Sequence, residues 1–209
     1  MSDKSRMVPA LVEFLAEITG EPASTLNQIA RRTREAGYLS QAGHGRAGAK
    51  ATSRDAATIL LVSMGTSTAI HASPVVEALS ALERQVGEKF PGWEFPEKLA
   101  GLDVEATDPI GAVAEIIDAL RRRDENFEGI VHVAMSTSGD PHVTIDWSTS
   151  DDPRYWSFSA PEKSEALARY RKVAHQSGTV GVPPIIRYVT AESWILVALA
   201  DWFEGREIG

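Results

Sequence analysis

The sequence predicts an α+β protein, with an N-terminal winged helix-turn-helix followed by an acidic α+β body that carries a small antiparallel sheet. Three observations favour this class. Apolar residues recur every three or four positions in the N-terminal part, as in amphipathic helices, whereas two later segments alternate apolar and polar residues, as strands do. Charge is divided as well: residues 1–60 hold 8 Lys and Arg against 6 Asp and Glu, while residues 61–209 hold 13 against 23.

Composition excludes several classes of site. The 209 residues include no cysteine, which excludes disulfides, thiolate zinc sites and a Cys nucleophile. The apolar run near the N-terminus is interrupted by Glu13 and Glu17, so we expect neither a signal peptide nor a membrane anchor, and a cytoplasmic location. Because an acidic body repels nucleic acid, any DNA contact is expected in the N-terminal part.

Two helices joined by a tight turn are predicted first. Apolar residues between positions 8 and 18 predict a helix over Met7–Thr19, and Gly20 is expected to end it in a left-handed conformation. A second helix is predicted over Pro22–Ala36, because proline is tolerated in a first turn and Gly37 provides the next stop.

The second helix has two distinct faces. Leu26, Ile29, Ala30 and Thr33 form the inward stripe, and the opposite face is polar and basic. Gln and Asn side chains can pair with adenine and Arg with guanine, while Ser and Thr reach bases or phosphates. The alternative interpretation is an ordinary solvated helix face. The residues of the polar face and its flanks are Ser24, Thr25, Asn27, Gln28, Arg31 and Arg32.

A glycine-rich basic loop follows over residues 41–50. Tyr38–Leu39 and Ala49–Thr52 are predicted to be short strands at its base, which would make the loop a wing against the DNA backbone. Gly43, Gly45 and Gly48 also spell G-x-G-x-x-G, but no buried strand precedes them and no acid lies near position 70, as a dinucleotide site requires. A surface loop without a partner is the other alternative.

These residues resemble a known family. The runs TGEPASTL (19–26) and EAGYL (35–39), with the basic residues between and after them, resemble the DNA-contacting part of winged helix-turn-helix regulators of the MarR and MerR kinds. The segment is also similar to DNA-binding proteins of prophages and gene transfer agents. The resemblance implies binding to double-stranded DNA, with residues 55–64 completing the helical core. The predicted DNA-binding residues are Ser24, Thr25, Asn27, Gln28, Arg31, Arg32, Arg34, His44, Arg46, Lys50 and Arg54.

The chain is predicted to divide into three parts. Residues 1–70 form the winged helix-turn-helix, called the head below, and residues 71–106 form a helix and a linker. Within this middle part a helix over Pro74–Val86, capped by Ser73, either provides a dimer surface or packs on its own body. Residues 107–209, the body, form an acidic α+β domain for dimerisation or partner binding.

The body is predicted to begin with a helix capped by Asp108 and Pro109 and closed by Arg121–Arg123, which would complement the helix C-terminus or bind phosphate. A β-hairpin with one buried face should follow. The later elements are a third strand over Tyr155–Phe158, a helix over 161–175, a fourth strand over Ile185–Val189 and a closing helix over Ser193–Phe203.

The polar face of the hairpin carries His132, His142 and Asp146, with the two histidines expected near opposite positions across the turn. Two histidines and a carboxylate can hold a divalent metal, but polar residues also belong on an outer sheet face. We predict no catalytic residue, metal or cofactor here.

The sequence as a whole favours a sequence-specific DNA-binding transcriptional regulator that acts as a homodimer. Its acidic body would provide dimerisation or a contact with a protein of the transcription machinery. The alternatives are a phage DNA-packaging or start-site recognition protein, a metal- or ligand-binding enzyme that uses the C-terminal sheet, and a module for protein interaction.

Overall fold

The computed structural model has an α+β fold, as the sequence predicts. In the part of the chain it describes, seven α-helices accompany a five-stranded antiparallel sheet and a separate two-stranded sheet. The described residues are 7–41, 49–66, 68–85, 87–90, 93–95, 105–122, 130–136, 140–149, 152–161, 164–176 and 188–206.

The helices lie in both parts of the chain. They are α1 (Val8–Thr19), α2 (Ala23–Glu35), α3 (Ser53–Gly65), α4 (Ala72–Ser80), α5 (Pro109–Arg121), α6 (Glu165–Gln176) and α7 (Ser193–Glu204), with a 3-10 turn at Ala69–His71.

The large sheet has the strand order β1-β6-β5-β4-β7, and every pair is antiparallel. β4, β5 and β6 follow one another as a meander, β7 returns beside β4, and the short β1 extends the sheet beyond β6. The strands are β1 (Glu83–Arg84), β2 (Gly87–Phe90), β3 (Trp93–Phe95), β4 (Ile130–Ser136), β5 (His142–Thr149), β6 (Asp152–Ser159) and β7 (Tyr188–Ala191).

The two predicted helices of the head are confirmed to within one residue at each end. Gly20 has a φ of 73° and Gly37 a φ of 86°, a left-handed conformation that a side chain makes costly. Gly20 therefore ends α1, and Gly37 lies in the turn that follows α2. The two helices pack on each other through their apolar stripes.

The strands predicted at the base of the wing are wrong. Tyr38 and Leu39 form no strand, and Lys50 pairs in an isolated bridge with Met7 instead. The N–H of Val8 also donates to the carbonyl of Ala49 at 3.2 Å. The return segment thus joins the start of α1, and residues 42–48, with His44 and Arg46, lie outside the described residues.

α3 is the central helix of the core. Thr52 and Asp55 form a capping box at its start. Ile59, Leu61 and Val62 are fully buried. Because α3 contacts α1, α2, α4 and α5, it completes the core of the head as expected and packs against the body as well.

The helix predicted over Pro74–Val86 is shorter and begins earlier. α4 starts at Ala72, so Ser73 and Pro74 lie inside its first turn, and it ends at Ser80. It stops because the chain then joins the sheet: the N–H of Gln85 donates to the carbonyl of Ser157 at 2.8 Å. Val75, Leu79 and Leu82 are buried within the chain, so of the two alternatives for this segment the structure shows packing on its own body.

The segment predicted as a linker contains regular structure. β2 and β3 pair as a two-stranded antiparallel sheet between Gly87 and Phe95, within the part of the chain predicted to hold the linker. Residues 91–92 and 96–104 of the predicted linker lie outside the described residues.

The predicted elements of the body are largely confirmed. Asp108 caps α5 by accepting a hydrogen bond of 2.9 Å from the N–H of Gly111. The hairpin buries Val133 and Ile145 on one face, as the alternation predicts. β6 and α7 include their predicted segments, whereas α6 begins at Glu165, four residues later than predicted. β7 is described from Tyr188 onward, and residues 185–187 lie outside the described range.

Arg121 joins two helices, α5 and α7, through its ion pairs. Its guanidinium pairs with Asp118 and Glu204, each at 2.9 Å, and lies 5.2 Å from the ring of Phe203. Arg123 lies outside the described residues. The contacts of Arg121 fix α5 to α7.

The head and the body share one buried cluster. It runs from Val8 to Phe203, and the rings of Phe14 on α1 and Trp202 on α7 stack with centroids 5.9 Å apart. The division of the chain into separately folding parts stays a prediction.

None of the described helices is by itself long and apolar enough to cross a membrane. Taken together, α3 and the segment Ala69–Ser80 have the length and apolar composition of a membrane span, but the two are bent by 117° relative to each other.

Candidate nucleic-acid interface

The polar face of α2 is open to solvent along its length. Its apolar stripe, which includes Leu26 and Ile29, is buried against the rest of the head. The structure therefore separates the two faces as the helical periodicity predicts. Ser24, Asn27, Gln28, Arg31 and Arg32 are exposed, and Thr25 and Arg34 are half-buried.

The exposed face is long enough to extend through a DNA groove. Ser24 and Arg34 are ten positions apart on α2, which at about 1.5 Å per residue separates them by roughly 15 Å. A major groove is about 12 Å wide and admits an α-helix. Side chains at both ends of α2 can thus reach phosphates while the middle of the face meets base edges.

The first turn of α2 suits an anion. Among the described residues, no acidic side chain lies in this turn and no side chain caps it. The N–H groups of a first helical turn carry partial positive charge and need acceptors. The backbone near Ala23 and Ser24 can therefore donate to a phosphate, beside the hydroxyls of Ser24 and Thr25.

Glu35 holds both exposed arginines of α2. Its Oε1 accepts from Nε of Arg31 at 2.8 Å, and its Oε2 lies 3.3 Å from Nη1 of Arg32. The hydrogen bond from Arg31 lowers the pKa of the Glu35 carboxyl, so the carboxylate stays charged under ordinary conditions. One negative charge thus lies inside the basic part of the face.

The other predicted cations lie in different places. Arg34 is half-buried in the last turn of α2, where a positive charge also stabilises a helix C-terminus. Lys50 is exposed at the return of the loop, beside Met7. Arg54 is exposed but lies against the body, with its Nη2 3.6 Å from the Asp108 carboxylate. Arg54 therefore forms an ion pair with the residue that caps α5.

Both ends of the basic loop are held by one carboxylate. Asp55 accepts from the N–H of Ser40 at 2.8 Å through Oδ1, and from the N–H and hydroxyl of Thr52 through Oδ2, each at 2.8 Å. Asp55 is only 2% exposed. The segment that follows α2 and the segment that precedes α3 are consequently held together at the start of α3.

The polar face of the sheet does not bring the two histidines together. β4 pairs His132 opposite Asp146 and Ser136 opposite His142, so the expectation that the histidines lie near opposite positions is wrong. Nδ1 of His132 lies 3.0 Å from the Glu192 carboxylate, and Nε2 of His142 lies 2.8 Å from Oγ of Ser157. In the described part of the chain, no group of three or more His, Cys, Asp or Glu is arranged to hold a metal.

Asp146 is the titratable group of this face with a shifted pKa. Burial raises the pKa of its carboxyl, and the charge of His132 opposes that effect. His132 on β4 thus lies between Asp146 on β5 and Glu192, the residue that precedes α7. The polar side chains of this face thus have partners within the fold.

Two features of the candidate interface were not predicted from the sequence. Glu35 contacts both arginines because it follows them by four and three positions, a spacing that places side chains on one helix face. That signal was present in the sequence. The bond from Ser40 to Asp55 spans 15 residues, and no local pattern identifies it.

In comparisons with models of protein families, with curated proteins and with solved structures, the chain has no significant match.

Proposed function

We propose that this protein is a cytoplasmic, sequence-specific DNA-binding transcriptional regulator that contacts double-stranded DNA through a winged helix-turn-helix head. The proposal rests mainly on the exposed polar face of α2. A helix that buries an apolar stripe on its own domain and presents Asn27, Gln28 and Arg31 to solvent has the form that base recognition requires.

In the proposed complex, α2 enters the major groove. Gln28 and Asn27 lie in the middle of the exposed face and would pair with adenine, whereas Arg31 would contact guanine. Ser24 and Thr25 lie at the N-terminal end, where backbone N–H groups favour a phosphate. α1 and α3 provide the packed support that keeps α2 in one orientation.

The loop after α2 would lie along the DNA backbone as a wing. Its support is the closure of its two ends on Asp55, which keeps Ser40 and Thr52 together at the start of α3, with the exposed cation Lys50 two residues before Thr52. Cations at this position add affinity without adding sequence preference.

A single helix contacts few base pairs, so we propose that two copies bind two half-sites. Apolar side chains that remain exposed in the described surface are candidates for the contact between copies: Ile70, Val189 and Trp194. The body carries the acidic charge, and it would meet either the second copy or a basic protein of the transcription machinery.

Selection from genomic fragments tests the proposal. The purified protein is incubated with random genomic DNA fragments, and the retained fragments are sequenced. We expect a shared site to be enriched by the wild type and by Lys172→Ala, which removes an exposed cation from α6. The double variant Gln28→Ala with Arg31→Ala should lose that enrichment, because each bidentate contact contributes about 1–3 kcal/mol of discrimination. No enriched site with the wild type would contradict the proposal.

A further inference from the structure

We propose that Glu35 is a positioning residue that directs Arg31 toward a guanine in the major groove. This inference rests on the proposed DNA-binding function and adds to it the base and the side chain that set specificity. Its basis is the geometry of one carboxylate between two arginines on the exposed face of α2.

The contact with Glu35 leaves the outer end of the Arg31 guanidinium available. Only Nε of Arg31 donates to Glu35, at 2.8 Å, and among the described residues its Nη1 and Nη2 groups have no partner. Those two groups form the planar fork that matches the O6 and N7 acceptors of guanine. The side chain is 77% exposed, so the fork points into space that a duplex can occupy.

The Glu35 carboxylate also favours contact of Arg31 with a base over contact with a phosphate. A flexible arginine on an exposed helix is attracted to any nearby phosphate, and such contacts carry no sequence preference. The charge of Glu35 opposes the approach of a phosphate to Arg31, whereas a guanine edge is neutral. Restricting the side chain also lowers the entropy lost on binding.

Glu35 contributes little to the stability of α2 at this position. It is the last residue of α2, and a negative charge at a helix C-terminus is unfavourable. The order of the pair, with Arg31 before Glu35, is also the less stabilising of the two possible orders at this spacing. A role in holding the arginines accounts for a carboxylate at this position.

Arg32 would have a different role. Its contact with Glu35 is longer, at 3.3 Å, and uses Nη1, so Nε and Nη2 have no partner among the described residues. The edge formed by these two groups faces away from the carboxylate and suits a phosphate oxygen pair. We assign base recognition to Arg31 and backbone contact to Arg32.

The experiment uses the site enriched by the full-length protein, with each guanine replaced in turn by 7-deazaguanine, which lacks the N7 acceptor. Affinities are measured by fluorescence anisotropy for the wild type, Glu35→Gln, Arg31→Lys and the control Glu17→Gln. Glu17 is an exposed acid on α1, so the control makes the same charge change away from the arginines. Thermal melts of each variant establish that the fold is retained.

With the wild type and Glu17→Gln, one 7-deazaguanine should weaken binding about tenfold, the lower part of the range for a bidentate contact. With Glu35→Gln that loss should fall to about twofold while binding to random duplex rises, because the arginine is released toward phosphates. Arg31→Lys should keep only part of the dependence, because an ammonium can still donate to N7 but lacks the planar fork. If Glu35→Gln keeps the full dependence on N7, the inference is overturned although the protein binds DNA. If the wild type enriches no site, the proposed function and this inference fail together.

Discussion

The backbone N–H of Ser40 donates a hydrogen bond of 2.8 Å to the carboxylate of Asp55, which is buried at the start of α3. The other oxygen of Asp55 accepts from Thr52, the capping residue of the same helix. This carboxylate closes the loop between α2 and α3. The two ends of the loop are thus joined through a residue that is buried in the core.

Replacing Asp55 with alanine should destabilise the protein and loosen the loop. The change leaves the partly buried N–H groups of Ser40 and Thr52 without their acceptor. An unpaired buried group costs about 1–3 kcal/mol, so we expect a loss near the lower end of that range. The comparison is Thr52→Ala, which removes the cap but keeps the bond to Ser40 and should cost about 1 kcal/mol. Urea unfolding measures both variants. An Asp55→Ala variant no less stable than Thr52→Ala would show that the bond to Ser40 contributes nothing.

Removing the cations of the loop should weaken binding to every DNA sequence to a similar extent. If about five cations of the wild type meet phosphates, the logarithm of the binding constant should fall with the logarithm of salt concentration at a slope of roughly −4 to −5. Arg46→Ala combined with Lys50→Ala should reduce that slope by about 2. Anisotropy titrations between low and moderate salt measure the slope for specific and random duplexes.

The variant Gln28→Ala is compared with the loop variant in the same titrations. It removes a neutral side chain, so it should lower the preference for the specific site and leave the salt slope unchanged. A loop variant that loses preference with an unchanged slope would place His44, Arg46 or Lys50 against bases instead of phosphates.

Stability should depend on pH through the pair of Asp140 and Arg171. Two hydrogen bonds of 2.6 Å from the Arg171 guanidinium lower the pKa of the Asp140 carboxyl below its ordinary value of 3.8. Because the pKa is lower in the folded protein, the pair stabilises it above pH 3.8 and loses this effect as the pH falls through the folded value. Arg171→Ala should therefore be less stable than the wild type at neutral pH.

The difference between wild type and Arg171→Ala should shrink at acidic pH, where Asp140 becomes protonated. Both side chains are about half exposed, so solvent screening keeps the effect small. Lys172→Ala, one position further on α6, serves as the control and should unfold at the same urea concentration as the wild type. A difference for Arg171→Ala that is constant between neutral pH and pH 3 would contradict an ionic origin.

Local patterns predicted most of the helices and strands. Gly20 and Gly37 end their elements through their own backbone freedom, and Asp108 caps α5 through a bond three residues away, so these signals lie within a few residues. Alternation in β4 and β5 likewise predicted which hairpin side chains are buried. Such elements depend on short-range chemistry, which a sequence displays directly.

The errors arose where distant segments decide the structure. α4 ends early because Arg84 and Gln85 bond to residues far along the chain, and Lys50 bridges Met7 instead of a neighbouring strand. The register that separates His132 from His142 depends on the length of the hairpin turn. In the candidate interface, the sequence predicted the exposed face of α2, whereas the bond from Ser40 to Asp55 needed the fold.

The most direct test of the account is whether the exposed face of α2 lies in a DNA groove. The chain contains no cysteine, so Ser24→Cys creates a single attachment point for an iron chelate that cleaves nearby DNA. Lys172→Cys, exposed on α6 of the body, is the matched control. On an enriched fragment, the chelate at position 24 should cut both strands within a few base pairs of the site, and the control should not. Equal cutting from both positions, or none from position 24, would contradict the placement of α2 on DNA.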